Sequence, residues 1–435
     1  MQKRDINRRQ FLKKAASVAA GSAAFPYFVP SSALGKGGSI APSNRVVIGC
    51  IGVGGMGVHN MNAFLNEPDV QVAAVCDVDA NHLENAANIA NKKYDNRDCA
   101  VYPDFRGLLA RDDIDAVSIA TPDHWHAIPA TAAAASGKDI YGEKPLSHNL
   151  AEGRAICEAV KRYGRVWQTG SWQRSRSNFR FACELVLNGR IGKVHTVEVG
   201  LPSGPGKSVR TRWSEDACAP PEELDYDFWL GPAPYAPYCP ARVHGNWRWH
   251  LDYGGGQLMD WIGHHADIAH WGLGLDYTGP VEVEGYGKYP RTGLWNSATQ
   301  YRVTTKYASG VTMIIDSDIR GGTKWIGEDG WVWVNREGHI EASPKALLNE
   351  RFGPDEINLY RSSNHHRNFL DCVKSRGTTL TPCEIAHRSA TPGHLGQIAM
   401  KLGRKLKWDP KKERIIADPE AERLLSRPMR SPWRL

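Results

Sequence analysis

Hydrophobic patterning divides the chain into two rhythms. Residues 45–51, Arg-Val-Val-Ile-Gly-Cys-Ile, form a short apolar, β-branched run of the kind buried on both faces of a parallel sheet. A polar-apolar segment to about Asn66 reads as a helix, and residues 70–76 read as a second strand ending at Asp77. The alternation continues with helical patterns at 86–94 and 105–110, a strand at 114–120, a helix at 128–137 and a strand at 139–142. Another strand is expected around Val166. From about Gly192 the helices drop out. Residues 193–201 alternate as a strand, a Pro/Trp-rich insertion occupies about 202–250, and a helix carries 256–272. Strand-like runs follow at 281–287, 299–307, 312–317 and 330–335 with turn residues between them, which predicts a mostly antiparallel sheet. Helices at 365–376 and 383–401 are expected to return to the first domain.

Between the first strand and the first helix stands Gly52-Val53-Gly54-Gly55-Met56-Gly57, a G-x-G-x-x-G. Gly52 makes the tight turn, Gly54 and its neighbours Gly55 and Met56 bring backbone amides to a pyrophosphate, and Gly57 lets helix and strand pack closely. The helix start then faces the phosphates with unpaired N–H groups. Asp77, 20 residues beyond Gly57, is placed to accept from the adenine ribose hydroxyls, and its charge favours NAD over NADP. The predicted fold class is therefore α/β plus α+β: an N-terminal Rossmann dinucleotide-binding domain over residues 44–165, then a mostly antiparallel open-sheet domain over 166–400. Residues 401–435 read as a C-terminal tail.

Two further loops sit at the carboxyl ends of predicted strands, where ligands of open parallel sheets gather. They are Thr121-Pro122-Asp123-His124-Trp125-His126 and Glu143-Lys144-Pro145. Farther on, Asp260 and His264 lie four residues apart, which puts both side chains on one helical face. His264, His265 and Asp267 raise the question of a metal, but three ligands from four consecutive helical residues do not converge. No metal is expected; core packing accounts for His265 and helix solvation for Asp267.

Taken in order, residues 52–57, Asp77, 121–124, 143–145 and the glycine run 254–256 leading to Asp260 and His264 resemble the glucose-fructose oxidoreductase, inositol dehydrogenase and rhizopine-catabolism family, Gfo/Idh/MocA. The likeness runs from about residue 44 to at least 400. It implies a sugar or polyol oxidoreductase with NAD as cofactor. Lys144 matches the family lysine that contacts the reacting oxygen, Asp260 and His264 match its catalytic pair, and His124 matches a position lining the nicotinamide pocket. With Thr121, Pro122, Asp123 and Glu143, these residues complete the expected cofactor and catalytic set. On this reading His264 takes the hydroxyl proton, Lys144 holds the oxygen, and Asp260 orients His264 or binds a neighbouring hydroxyl. The family also implies assembly through the second sheet, as a homodimer or homotetramer. The segment 168–174 departs from the shorter aromatic-arginine segment of simpler members.

Candidates for substrate contact are Trp172, Arg174, Trp249, His250 and, beside His264, His265; Arg248 is an alternative to His250 for binding hydroxyls. The insertion also holds Trp213, Trp229, Trp247, Tyr226, Tyr235 and Tyr238. Aromatic faces stack on sugar rings, yet the same residues serve equally to fill a loop-rich core.

Composition changes the picture mainly at the N-terminus. Of a formal net charge of +7, most comes from Lys3, Arg4, Arg8, Arg9, Lys13 and Lys14, opposed only by Asp5. No basic stripe remains elsewhere, so nucleic acid is not an expected partner. Arg8-Arg9 before the alanine-rich run 15–29 has the pattern of a twin-arginine export signal, with small residues at 31–33 for cleavage. That run is too short and too rich in Ala, Gly and Ser to span a bilayer. Residues 1–33 are thus expected to be a removed signal, and the mature protein periplasmic. Nine cysteines show no CxxC or Cys/His metal spacing; Cys50 and Cys76 fall in buried strands, and only Cys218 and Cys239 suggest a disulfide. Free NAD is scarce outside the cytoplasm, so the cofactor is expected to stay bound and be recycled. A rival reading is a hydrolase that uses bound NAD transiently to cleave glycosides by oxidation, elimination, hydration and reduction. Asp260-x-x-x-His264 speaks against it. A third is a cofactor-loaded binding protein without turnover.

Overall fold

The computed structural model describes residues 40–206 and 212–435; the expected export signal lies outside the described residues. Ahead of the main unit, Pro42–Asn44 forms one 3-10 turn, and Arg45 Nε donates to Ile40 O at 3.0 Å. The rest, from Val46 to Leu435, is one compact unit built on two sheets.

The first sheet has six parallel strands: β1 (Val46–Ile51), β2 (Val70–Cys76), β3 (Ala100–Tyr102), β4 (Ala116–Ile119), β5 (Asp139–Gly142) and β6 (Trp167–Thr169). Their order, β3-β2-β1-β4-β5-β6, is that of a Rossmann domain, with the switch point between β1 and β4. Apolar side chains cover both faces, as the unbroken runs predicted. Val46, Ile48, Phe64 and Tyr141 pack with Phe369 and Leu370 on one side, and Ile51, Val117, Ile140 and Ile156 share a cluster on the other. The helix His365–Ser375 therefore completes the first domain's core, whereas the helix Cys383–Leu402 puts Cys383 and Ala386 there and Ala390, Leu395, Ile398 and Ala399 into the second sheet's core.

The second sheet has nine strands in the order β13-β12-β11-β7-β10-β9-β8-β14-β15. They are β7 (Val194–Gly200), β8 (Glu282–Lys288), β9 (Gln300–Lys306), β10 (Thr312–Asp316), β11 (Gly322–Gly327), β12 (Trp331–Val334), β13 (Ile340–Ser343), β14 (Leu406–Asp409) and β15 (Arg414–Ile415). Among the described residues, only the β7–β10 pair of this sheet is parallel. Helices Ser177–Leu187, Gly256–Leu273 and Cys383–Leu402 contribute to the core on this sheet.

Three expectations need correction. The chain beyond residue 401 is not a tail: β14 joins the second sheet beside β8, and Pro419–Arg423 is a helix. Farther on, Arg427 donates to Glu152 and His124 O, and Trp433 packs edge-on against Trp125 and Phe228. Cys218 and Cys239 form no disulfide; Cys239 is buried, Cys218 exposed, and both are free. Asp267 does not solvate its helix but lies buried against Arg174. Among the described residues, no helix is long and apolar enough to cross a membrane.

Most of the insertion's aromatics fill a core. Tyr226, Trp229, Tyr238, Trp247 and Tyr253 form a satellite cluster, while Trp213 and Tyr235 are exposed.

Histidine burial carries a pH consequence. Burial pushes His124 and His394 down to about 3, and His126, His265, His270 and His365 to about 4, from an ordinary 6.5. Below pH 6.5 the unfolded chain binds protons at these sites that the folded chain does not, so stability must fall with pH there. Urea midpoints are expected to hold steady above pH 7 and to decline progressively below 6.5. A midpoint flat down to pH 5 would contradict this.

Candidate active site

A cleft of about 560 Å³ runs across the carboxyl ends of β2, β1, β4 and β5. Its floor is the glycine loop. Gly52 adopts φ +78, and a Cβ there would meet Thr121 N at 2.7 Å; a Cβ on Gly57 would meet Gly52 O at 1.9 Å. The first position needs a left-handed backbone and the second a bare α-carbon, which is why a side chain fits neither. Gly54, Gly55 and Met56 line the cleft, and a Cβ on Gly55 would find open space. The helix Gly55–Leu65 has no side-chain cap on its first amides. An uncapped helix start opening on a cleft is a phosphate cradle, so these residues fit the pyrophosphate of a dinucleotide.

Asp77 stands at the β2 end. Its Oδ2 accepts from Val53 N at 2.8 Å and its Oδ1 from Asp79 N at 3.1 Å, so it also fixes the glycine loop. Each oxygen keeps a second lone pair for ribose hydroxyls. His82 Nδ1 lies 3.6 Å from Asp77 Oδ2, and the nearby carboxylate raises the imidazole's pKa against the opposing effect of burial. Asp79, His82 and His244 bring ligand-type atoms within 4.8 Å of one another. Asp79 Oδ1 is engaged in capping the helix Ala80–Tyr94 through Asn81 N and His82 N. The 264/265/267 group does not gather: His265 Nδ1 donates to Gly200 O, and Asp267 pairs with Arg174.

The insertion closes this end. Ala80 N donates to Glu223 O at 2.8 Å and Asp225 N to Val78 O at 2.9 Å, a strand-like pairing that lays residues 223–225 along the loop after β2. Leu224, Phe228, Trp229, His244 and Trp247 thereby become walls of the cleft.

Beyond β4 and β5 lie Thr121, Pro122, Asp123, Glu143 and Lys144, all lining the cleft. Burial raises the Asp123 carboxyl to about 8 against the pull of Lys144. Glu143 is raised by burial too; its Oε1 accepts from Asn60 Nδ2 at 2.9 Å. Lys144 Nζ donates to Asp260 Oδ1 at 2.9 Å and to Asp260 O at 2.8 Å. Arg248 Nε reaches the same Oδ1 at 3.1 Å. Burial works to raise the Asp260 carboxyl, but the Lys144 and Arg248 charges outweigh it and hold it below the ordinary value. His264 lines the cleft one turn farther along the helix. Its Nδ1 donates to Gln173 Oε1 at 2.9 Å. An amide oxygen only accepts, so the proton is on Nδ1 and Nε2 keeps a free lone pair. Burial, then the charges of Lys144 and Arg336, push the imidazole well below 6.5.

Lys144, Asp260 and His264 thus converge, with Trp172 beside them. Asp260 does not orient His264; Gln173 does, because the Asp260 carboxylate is engaged by two cations. His124 faces away from the cleft: its Nε2 donates to Trp229 O at 3.0 Å within the insertion's aromatic cluster. Arg174 is 2 % exposed and bound to Asp267 and Asp276, so it has no route to substrate. Trp249 packs on Trp295, His250 stands 3.5 Å from Asp252, and His265 is buried; none of the three lines the cleft. Gln173, Trp261 and Arg336 were not anticipated. Gln173 lies inside the departing segment 168–174, the one signal that pointed near it, whereas nothing in the sequence around Arg336 marks it.

Two family models match this chain. Residues 46–171 match the oxidoreductase family NAD-binding Rossmann fold, and residues 183–435 the oxidoreductase family C-terminal alpha/beta domain. The chain belongs to the Gfo/Idh/MocA oxidoreductase family. Its first domain is accordingly the NAD-binding domain of a Gfo/Idh/MocA oxidoreductase. An uncharacterized oxidoreductase of Bacillus subtilis, YrbE, is 30% identical over 157 residues, covering 36% of this chain and 44% of that protein. An alpha-N-acetylgalactosaminidase of Shewanella oneidensis is 35% identical over 173 residues, covering 36% and 38%. The matched region is thus under half the length of either relative. Among solved structures, GenD2 from gentamicin A biosynthesis, in complex with NAD, superposes with TM-score 0.62 at 20% identity, covering 85% of this chain and 98% of that one. The WlbA dehydrogenase of Bordetella pertussis, in complex with NADH and UDP-GlcNAcA, gives 0.62 at 16%, covering 84% and 99%. These two share the fold.

Proposed function

We propose that this Gfo/Idh/MocA protein oxidises a carbinol carbon of a sugar, glycoside or polyol, or reduces the corresponding keto carbon. The observation that carries this is His264, held by Gln173 through Nδ1 so that Nε2 faces no protein partner, beside a Lys144 Nζ fixed by Asp260. NAD, when bound, supplies the hydride acceptor. Lys144 holds the substrate oxygen and favours the alkoxide, His264 Nε2 takes the hydroxyl proton, and Gln173 keeps the ring in the tautomer that can do so. Asp260 keeps Lys144 aimed. The Asp77 carboxylate disfavours a 2′-phosphate by like-charge repulsion, which supports NAD over NADP.

The proposal extends to cofactor retention. Residues 223–225 and the walls Phe228, Trp229 and Trp247 cover the cleft, and Arg430, donating to Gly231 O at 2.9 Å, fastens the insertion to the C-terminal segment. Together with the twin-arginine pattern at Arg8-Arg9, this supports a periplasmic enzyme that carries its NAD with it. The expected oligomer is a homodimer or homotetramer assembled through the nine-stranded sheet. Protein purified from the cell envelope without added NAD is expected to release NAD on denaturation, detected by mass spectrometry. It should also change nicotinamide absorbance with a member of a sugar and polyol panel. Empty protein, or no response to any member, would refute the proposal.

The 35% identity to an alpha-N-acetylgalactosaminidase supports a second reading, glycoside cleavage with bound NAD used transiently. Release of the aglycone from an aryl glycoside with no net NADH would select it.

A further inference from the structure

We infer that the substrate carries an oxyanion, a carboxylate or a phosphate on the sugar, and that Arg336 binds it. The inference rests on the proposed sugar oxidoreductase reading and names its substrate class.

Arg336 follows β12 in a turn and lines the cleft. Its guanidinium lies 4.9 Å from the Trp172 ring centre and 4.7 Å from that of Trp261. Both indoles also flank His264, at 6.5 and 5.4 Å between ring centres. Among the described residues Arg336 makes no side-chain hydrogen bond to a carboxylate; Glu337 and Asp260 act on it only through their charge, which leaves its N–H donors for a ligand. The other arginines and lysine around it are accounted for: Arg248 and Lys144 share Asp260, and Arg176 Nη1 donates to Arg336 O at 2.7 Å. Three cations, Lys144, Arg248 and Arg336, therefore gather at the substrate end of the cleft, where Asp260 is shared by the first two and burial raises the Asp123 and Glu143 carboxyls.

The cation is also held in place. Arg176 grips the Arg336 carbonyl, Asn178 Nδ2 donates to Asn335 O at 3.0 Å, and the two indoles limit the guanidinium's motion. A half-buried arginine costs free energy unless it meets a counter-charge. Burial and Arg176 both weigh against its charged form, opposed by Glu337 and Asp260. A planar fork fixed by aromatic faces, with donors open to the cleft, is suited to an oxyanion taken by two hydrogen bonds. Its nearness to His264 puts that oxyanion on the same sugar unit as the reacting carbinol.

The test is calorimetric titration of the purified holoprotein with matched ligands: glucose and galactose, glucuronate and galacturonate, and glucose 6-phosphate. Tryptophan fluorescence is recorded in parallel. At least one oxyanionic sugar is expected to bind ~10–100-fold more tightly than its neutral partner, with quenching from Trp172 and Trp261. Uronate and phosphate arms tell the two oxyanion sources apart. Arg336→Gln should remove most of that preference and Arg336→Lys restore part of it; added salt should weaken the oxyanionic ligand selectively in the unmutated protein. Equal binding of neutral and acidic sugars, or a preference unchanged in Arg336→Gln, overturns the inference. Uronate binding lost in Arg336→Gln, with no nicotinamide response to any sugar, keeps the oxyanion site while removing the oxidoreductase reading. Oxidation of neutral sugars without any preference does the reverse.

Discussion

Replacing His264 with alanine is expected to lower kcat by ~10²–10⁴-fold on the true substrate while leaving bound NAD in place. That range is what a positioned general base contributes. His264 is suited to the role because burial and the Lys144 and Arg336 charges hold its pKa well below 6.5, and Gln173 leaves Nε2 unprotonated. The base works only when neutral, and a depressed pKa keeps it neutral below the usual histidine range. The acid limb of kcat/KM should therefore lie below pH 6.5 in the unmutated enzyme. Gln173→Leu removes the acceptor on Nδ1 and frees the ring to turn, so it should reduce kcat by ~10-fold or more with KM little changed. Lys144→Met should cost ~10²–10³-fold, the range seen when one oxyanion donor is deleted. Full turnover in His264→Ala would remove the histidine from the mechanism. Full turnover in Lys144→Met would do the same for the lysine.

Arg174→Met is expected to destabilise the fold by about 3–5 kcal/mol, the typical cost of stripping one partner from a buried ion pair. Arg174 Nε and Nη2 donate to Asp267 at 2.8 and 2.9 Å, and Nη1 and Nη2 reach Asp276 at 2.9 and 2.8 Å. The guanidinium also lies 5.0 Å from the ring centre of Trp271. Without it, Asp267 is buried with no cation; burial already raises its carboxyl despite Arg174, so it would be driven to take a proton. Arg174→Lys should rescue little, since one ammonium cannot span two carboxylates. The urea midpoint is the measurement. An unchanged midpoint with a raised KM would instead return Arg174 to the substrate site, where its position in the sequence first placed it.

His264 and Arg174 differ in how far local sequence dictates what they do. Gly52, Gly57, Asp77 and Lys144 were legible in the chain, because local rules dictate them. A tight turn needs a left-handed backbone, a helix packed on a strand needs a missing Cβ, and parallel strands present their carboxyl ends to ligand. The i, i+4 spacing likewise brought Asp260 and His264 to one face.

What each side chain does there was decided only in three dimensions. Asp260 was free to serve His264 until Lys144, 116 positions away, and Arg248 claimed its carboxylate. Arg174 stood in a segment the sequence singled out and Arg336 in one it did not, yet the first is neutralised in the core and the second reaches the cleft between Trp172 and Trp261. His124 left the cleft because the insertion offered Trp229 O as an acceptor, and the presumed tail proved to carry the second sheet's edge. Periodicity and motif spacing report backbone geometry within one element. The partner of a charged group depends on which distant elements pack beside it, and tertiary packing alone makes that choice.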